Sequence, residues 1–168
     1  GIGLWESSYN TVNANHVANV SGWEGWALIC DGIENVFTYN LACNSTNGFY
    51  IEDALDCLLS HNTIYGNKQA FWFDLTCENN TMTWNIFEDN LQNGMDNSTG
   101  EWIEYNYWSN YVGVDANNDG IGEIPHPIDG TALNNDTHPL VYYPTLPTWT
   151  KEPTDQFAEY GMEFSYTL

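Results

Sequence analysis

Arginine is absent from the 168 residues and lysine occurs only twice, against 23 Asp plus Glu, for a formal net charge of −21. A surface so short of positive charge repels nucleic acid, anionic membranes and polyuronates; it attracts divalent cations and stays soluble in high salt. Also missing is any apolar run long enough to span a bilayer, so no membrane insertion is expected. The opening GIGLW has neither the basic region nor the apolar stretch of a signal peptide, which points to a mature or excised chain. No CxxC spacing links Cys30, Cys43, Cys57 and Cys77, which argues against zinc and for disulfides.

What the sequence does contain is a repeat of about 23 residues. The segments beginning GIGLW, GWALI, GFYIE and AFWFD each open on Gly or Ala. An apolar–x–apolar pair follows, then a polar loop, then two further apolar positions five residues apart. A looser fifth copy runs from Gly94 to Trp108. The second apolar position reads Val12, Val36, Leu59, Met82 and Ile103; the third reads Val17, Leu41, Ile64, Phe87 and Trp108. Short alternating runs between Asn, Ser and Gly turns are strand signals. Three short strands per coil, stacked at about 4.8 Å, predict an all-β, right-handed parallel β-helix of about five coils. The expected inward residues are Ile2 and Leu4, Trp26 and Leu28, Phe49 and Ile51, Phe71 and Phe73, then Met95.

Three residues after each second apolar position stand Asn15, Tyr39, Asn62, Asn85 and Asn106. Stacked asparagines take tight left-handed turns and pass amide hydrogen bonds from coil to coil, so this row is expected to be a buried ladder.

Other groups carry candidate chemistry. Asp115, Asn117, Asp119, Ile121 (through its carbonyl) and Glu123 follow the start of an EF-hand-like calcium loop, but His126 between two prolines stands where the last ligand belongs. Asp129 or Asp136 would have to complete the shell; without them the stretch is an ordinary Asp/Asn/Gly turn. Tyr50 and Trp72 fall at one outward coil position, with Glu52 and Asp74 two residues on. Two carboxylates about 5 Å apart beside aromatics suit a sugar-binding face or a retaining glycosidase; in so acidic a chain they also fit a plain exposed surface. Sequons begin at Asn19, Asn44, Asn79, Asn97 and Asn135, and covalent N-glycans are expected there. Cys57 and Cys77 share one loop face of adjacent coils and are the first pair to bridge.

The repeat, together with the stretch from Asn106 to Gly130 (NYWSNYVGVDANNDGIGEIPHPIDG), resembles the parallel β-helix family of NosD-like copper-accessory proteins and carbohydrate-binding and sugar-hydrolase repeats. The resemblance covers residues 1 to about 144 and implies the fold more firmly than the function. Copper carries over badly, because three Met and the four His (His16, His61, His126, His138) show no clustered spacing. Polysaccharide lyases of this fold usually abstract a proton with Arg or Lys, and only Lys68 and Lys151 are on offer.

Residues 1–144 are thus assigned to the β-helix with its calcium-type closing loop, and 145–168 to a proline-punctuated linker and an amphipathic strand. In that strand Tyr160, Met162, Phe164, Tyr166 and Leu168 alternate with small or polar residues. It resembles the start of an immunoglobulin- or cadherin-like extracellular module, and alone it needs a partner. The reading that follows is a non-enzymatic, extracellular or cell-surface structural subunit, glycosylated and assembling with copies of itself head to tail. The alternative is a carbohydrate-binding or glycoside-hydrolysing module.

Overall fold

The computed structural model describes residues 1–143, and every regular element among them is a strand. Three parallel five-stranded sheets form the faces of a triangular solenoid. The first sheet stacks Ile2–Leu4, Trp26–Ile33, Asn47–Leu55, Gln69–Phe73 and Gln92–Asp96. The second stacks Thr11–Asn13, Val36–Thr38, Leu58–Ser60, Thr81–Thr83 and Trp102–Glu104. The third stacks His16–Ala18, Leu41–Cys43, Thr63–Tyr65, Ile86–Glu88 and Tyr107–Trp108. The chain is thus a parallel β-helix of about five coils.

The core is a column of apolar side chains, one or two from each strand. Val12, Phe37, Leu59, Met82 and Ile103 are in register in the second sheet, and Val17, Ala42, Ile64, Phe87 and Trp108 in the third. In coil 2, therefore, Phe37 and Ala42 point inward, not Val36 and Leu41. A one-residue slip reverses the faces of a strand, and two adjacent apolar residues hide it. The first sheet corrects two more inward assignments. Leu28 and Cys30, not Trp26 and Leu28, continue the rows of Ile2 and Leu4. Gly94, not Met95, lies opposite Phe71. The Phe71 ring fills the space a side chain would need, since a Cβ at Gly94 would come within 2.1 Å of it.

The corner between the second and third sheets holds the asparagine ladder, and its coil-2 member is Asn40 rather than Tyr39. Each backbone N–H in the row Asn15, Asn40, Asn62, Asn85 donates to the side-chain oxygen of the next Asn, at 2.9 or 3.0 Å. From Asn40 onward each amide nitrogen reaches back to a carbonyl of the coil beneath, as Asn62 Nδ2 does to Phe37 O at 2.9 Å. The residue before each Asn is left-handed: Ala14, Tyr39, His61, Trp84 and Tyr105 all have φ between 54° and 59°. The turn thus inserts one strained residue so that the next can point its amide inward.

Both other corners repeat the device. One runs through Asn10, Asn35, Cys57, Asn80 and Glu101, the other through Val20, Ser45, Asn67 and Asn90. Beyond the fifth coil, residues 109–141 fold across its end. His126–Pro127 pairs with Asn135–Asp136, and the fully buried Asp136 carboxylate accepts from Asn106 N, Tyr105 N and Trp108 Nε1.

Candidate functional site

The outer face of the first sheet carries an aromatic cleft. Strand pairing sets Ile29, Tyr50, Trp72 and Met95 in one outward row along the stack. Trp26 lies over Tyr50 with ring centroids 4.9 Å apart and planes inclined by 20°. Trp26, Ile29, Tyr50 and Trp72, with Trp5, Trp23, Asn47, Glu52 and Gln69, line a cleft of about 700 Å³. The rings form the apolar floor and the amides and carboxylate the polar rim.

Two polar features tie the cleft together. The Tyr50 hydroxyl bonds to Glu52 Oε2 at 3.0 Å and reaches Asp74 Oδ2 at 3.4 Å. Burial pushes the Glu52 carboxyl above its ordinary range; the Tyr50 bond opposes this, and Asp31, Asp53 and Asp74 add to the rise. Burial and the two carboxylates likewise push the Tyr50 phenol up, so it stays a donor. Trp72 Nε1 is buried without a hydrogen-bond partner, a donor that a ligand hydroxyl or a water would satisfy. Tyr50, Trp72, Glu52 and Asp74 are thus gathered as the repeat implied. Trp26 was missed because it was counted as inward, and Trp5 and Gln69 because neither stands out in the repeat.

The hydroxyl shared by Glu52 and Asp74 bears on chemistry. A retaining glycosidase needs its two carboxyl groups on either side of the scissile bond; here the Tyr50 hydroxyl stands between them, its one proton directed to Glu52 at 3.0 Å with Asp74 at 3.4 Å.

The remaining candidates fall elsewhere. In the Asp115–Glu123 loop the side-chain oxygens are turned onto the loop's own backbone: Asp115 accepts from Asp119 N and Gly120 N, Asn117 from Asp119 N, Asp119 from Ile121 N, and Glu123 from Ala116 N. Asp136 cannot complete a calcium shell there, being spent on the end of the ladder. Among the described residues no three His, Cys, Asp or Glu side chains are grouped to hold a metal ion.

The sequon asparagines Asn19, Asn44, Asn79 and Asn135 are exposed, while Asn97 is half-buried and accepts from Thr131 N. Asn19, Asn44 and Asn79 occupy left-handed corner positions, where asparagine is favoured for conformational reasons. Turn geometry thus accounts for the asparagine at three of the five sequons.

All four cysteines are free thiols. Cys57 and Cys77 are not bridged: the Cys57 thiol donates to Gly32 O and the Cys77 thiol to Ile51 O, each on the coil beneath. Burial pushes the Cys77 thiol up to about 12. Tyr160, Met162, Phe164, Tyr166 and Leu168, with the linker before them, lie outside the described residues. No helix among the described residues is long and apolar enough to cross a membrane.

Comparison with known proteins supplies a family. The model of a family described as periplasmic copper-binding protein (NosD) matches residues 1–126. A curated relative from Stutzerimonas stutzeri, described as a probable ABC transporter binding protein NosD, is 30% identical over 136 residues. That alignment covers 75% of this chain and 28% of the relative. No solved structure matches.

Proposed function

Because the chain belongs to the NosD family, we propose that it is a non-enzymatic β-solenoid of the cell envelope, periplasmic or extracellular, whose first sheet binds a neutral saccharide. The observation that carries this is the cleft in which Trp26 stacks on Tyr50 beside Trp72, with Glu52 and Gln69 at the rim. A pyranose lays its C–H face on an aromatic ring and turns its hydroxyls to carboxylates and amides. Glu24, Glu52 and the chain's charge of −21 select against uronates and other anionic sugars.

Calorimetric titration with neutral and uronate oligosaccharides tests it. Tyr50→Ala and Trp72→Ala should each weaken binding of a neutral oligosaccharide by about tenfold, or roughly 1.4 kcal/mol. Uronates should not bind the intact chain. Equal affinity in wild type and both variants would remove the cleft from consideration.

Head-to-tail assembly into a filament or surface layer through Tyr160 to Leu168 is the rival reading; it requires neighbouring copies, whereas the cleft is lined by one chain. Calcium is proposed for the Asp115–Glu123 loop on the EF-hand-like spacing of its oxygens; binding would draw them off the loop's own N–H groups. Millimolar calcium should raise the melting temperature by a few degrees relative to excess chelator, and Asp119→Ala should abolish the difference. Identical curves for the intact chain would dismiss the ion.

Copper, named in the family's description, finds few donors. Met82 is in the core, His126 is stacked on Trp108, and His138 is paired with Glu104. His16 Nε2 and Cys43 Sγ lie 3.4 Å apart, but no third His, Cys, Asp or Glu is grouped with them among the described residues, so these residues do not fit the ion.

A further inference from the structure

The outer face of the third sheet carries a second groove, of about 770 Å³. Strand pairing sets His16, Leu41, Thr63, Ile86 and Tyr107 in one row along the stack, and Leu41, Thr63 and Ile86 make the floor. One wall is the row of rings Tyr39, His61 and Trp84, whose centroids follow one another at 5.1 and 6.4 Å. Tyr39, Tyr65 and Trp84 are exposed along the groove, a continuous apolar surface of the kind that marks an interaction site. The backbone groups of the floor are spent on the sheet, so it offers no main-chain acceptors.

At the fifth coil the groove meets the last described residue. Tyr143 lines it, its ring edge-on to Tyr107 with centroids 5.2 Å apart, so Pro144 follows at the mouth of the groove. We infer that residues 144–149 of this same chain, Pro-Thr-Leu-Pro-Thr-Trp, occupy the groove as a polyproline-II segment running from the fifth coil toward the first.

Three residues per turn sort such a segment into three ridges. Pro144 and Pro147 make the first, Leu146 and Trp149 the second, Thr145 and Thr148 the third. Two neighbouring ridges are therefore apolar and one is polar, which suits a segment half sunk in a groove. Length agrees as well. The five-coil row spans four steps of about 4.8 Å, about 19 Å in all, and six residues at about 3.1 Å each cover the same distance. Both prolines arrive with φ already fixed and with no N–H to leave unpaired over the floor. A wall of rings is also the surface on which segments with two prolines spaced three apart dock. The segment is the chain's own because Tyr143 tethers it there, at an effective concentration on the order of millimolar that dilution does not change. The saccharide cleft lies on the first sheet and shares no residue with this groove, so the two readings stand apart.

Trypsin digestion of the full chain tests the inference, because lysine stands only at positions 68 and 151. The protease must draw in the residues on both sides of the bond it cuts, so a docked Thr148 and Trp149 shield the bond after Lys151, and the rate of cutting follows the population of released segment. Leu146→Asp puts a charge on the segment and Ile86→Asp puts one on the floor. Each should speed cutting after Lys151 by at least about tenfold over wild type. Lys68 reports on the fold: its N–H is bonded to Thr46 O at 3.1 Å in a corner of the solenoid, and the bond after it should resist in all three proteins. Should Ile86→Asp expose Lys68, Leu146→Asp, outside the described solenoid, still decides. The wild-type protection should hold over an about 100-fold range of protein concentration. Equal rates after Lys151 in wild type and Leu146→Asp overturn the inference. Protection that grows with concentration overturns it too, since the groove would then hold the segment of a second copy.

Discussion

Asn62→Ala should lower the free energy of unfolding by about 3 kcal/mol, because one side chain serves two coils. Asn62 Oδ1 accepts from both the backbone N–H and the amide of Asn40, at 2.9 and 3.0 Å. Asn62 Nδ2 donates to Phe37 O at 2.9 Å and to Asn85 Oδ1 at 3.0 Å. Asn40, Asn62 and Asn85 are at most 1% exposed, so water cannot replace what alanine removes. At least one buried N–H and one buried carbonyl lose their partner, each costing roughly 1–3 kcal/mol. Urea unfolding of the two proteins at one pH measures the loss. A change within about 0.5 kcal/mol, the size of an ordinary surface substitution, would mean that the ladder contributes little.

The second large effect is a dependence on pH with an unusual sign. Glu101 ends the ladder of Asn35, Cys57 and Asn80, its Oε2 accepting from Asn80 N at 2.6 Å. Burial raises its carboxyl from 4.5 to about 7; hydrogen bonds from Asn80 and Ser98 oppose the rise, and Asp96 adds to it. A carboxyl whose folded pKa exceeds its unfolded one holds a proton more tightly when folded. Its contribution is therefore fully present below about pH 4.5 and is lost as pH rises through about 7.

At about 1.4 kcal/mol per unit, the wild type should lose up to about 3 kcal/mol from this group between pH 4.5 and 8. Glu101→Gln keeps an oxygen for Asn80 and has no proton to lose, so its urea curves should vary less over the same range. The difference between the two slopes isolates Glu101 from the mutual repulsion of the other carboxylates. Parallel pH profiles would show that Glu101 is not held protonated.

The order of coils was legible because a parallel stack repeats its pattern at every level, and five copies average out local noise. Register was less so. At Val36-Phe37 both residues are apolar, and hydrophobicity alone cannot say which is inward. The polar corner decides it, since only with Phe37 inward does Asn40, rather than Tyr39, join the ladder. The second ladder escaped notice because its rungs are chemically mixed, with a cysteine and a glutamate standing in for asparagine. Sheet register brought Tyr50, Trp72, Glu52 and Asp74 together as their matching coil positions implied. The pairing of His16 with Cys43 was invisible, for it joins different positions of neighbouring coils across a diagonal.

The direction of the ladders has a consequence for how such a molecule changes length over generations. Each inward amide satisfies the coil beneath it, and Asp136 receives the last one. A coil duplicated in tandem arrives with the side chains its predecessor requires, and it presents to the closing segment the same asparagine that the segment already accepts. Gain or loss of a whole repeat by unequal recombination therefore leaves no amide stranded, whereas an insertion of any other size breaks all three corners at once. The number of coils is free to drift in whole steps while the sequence of each coil stays constrained.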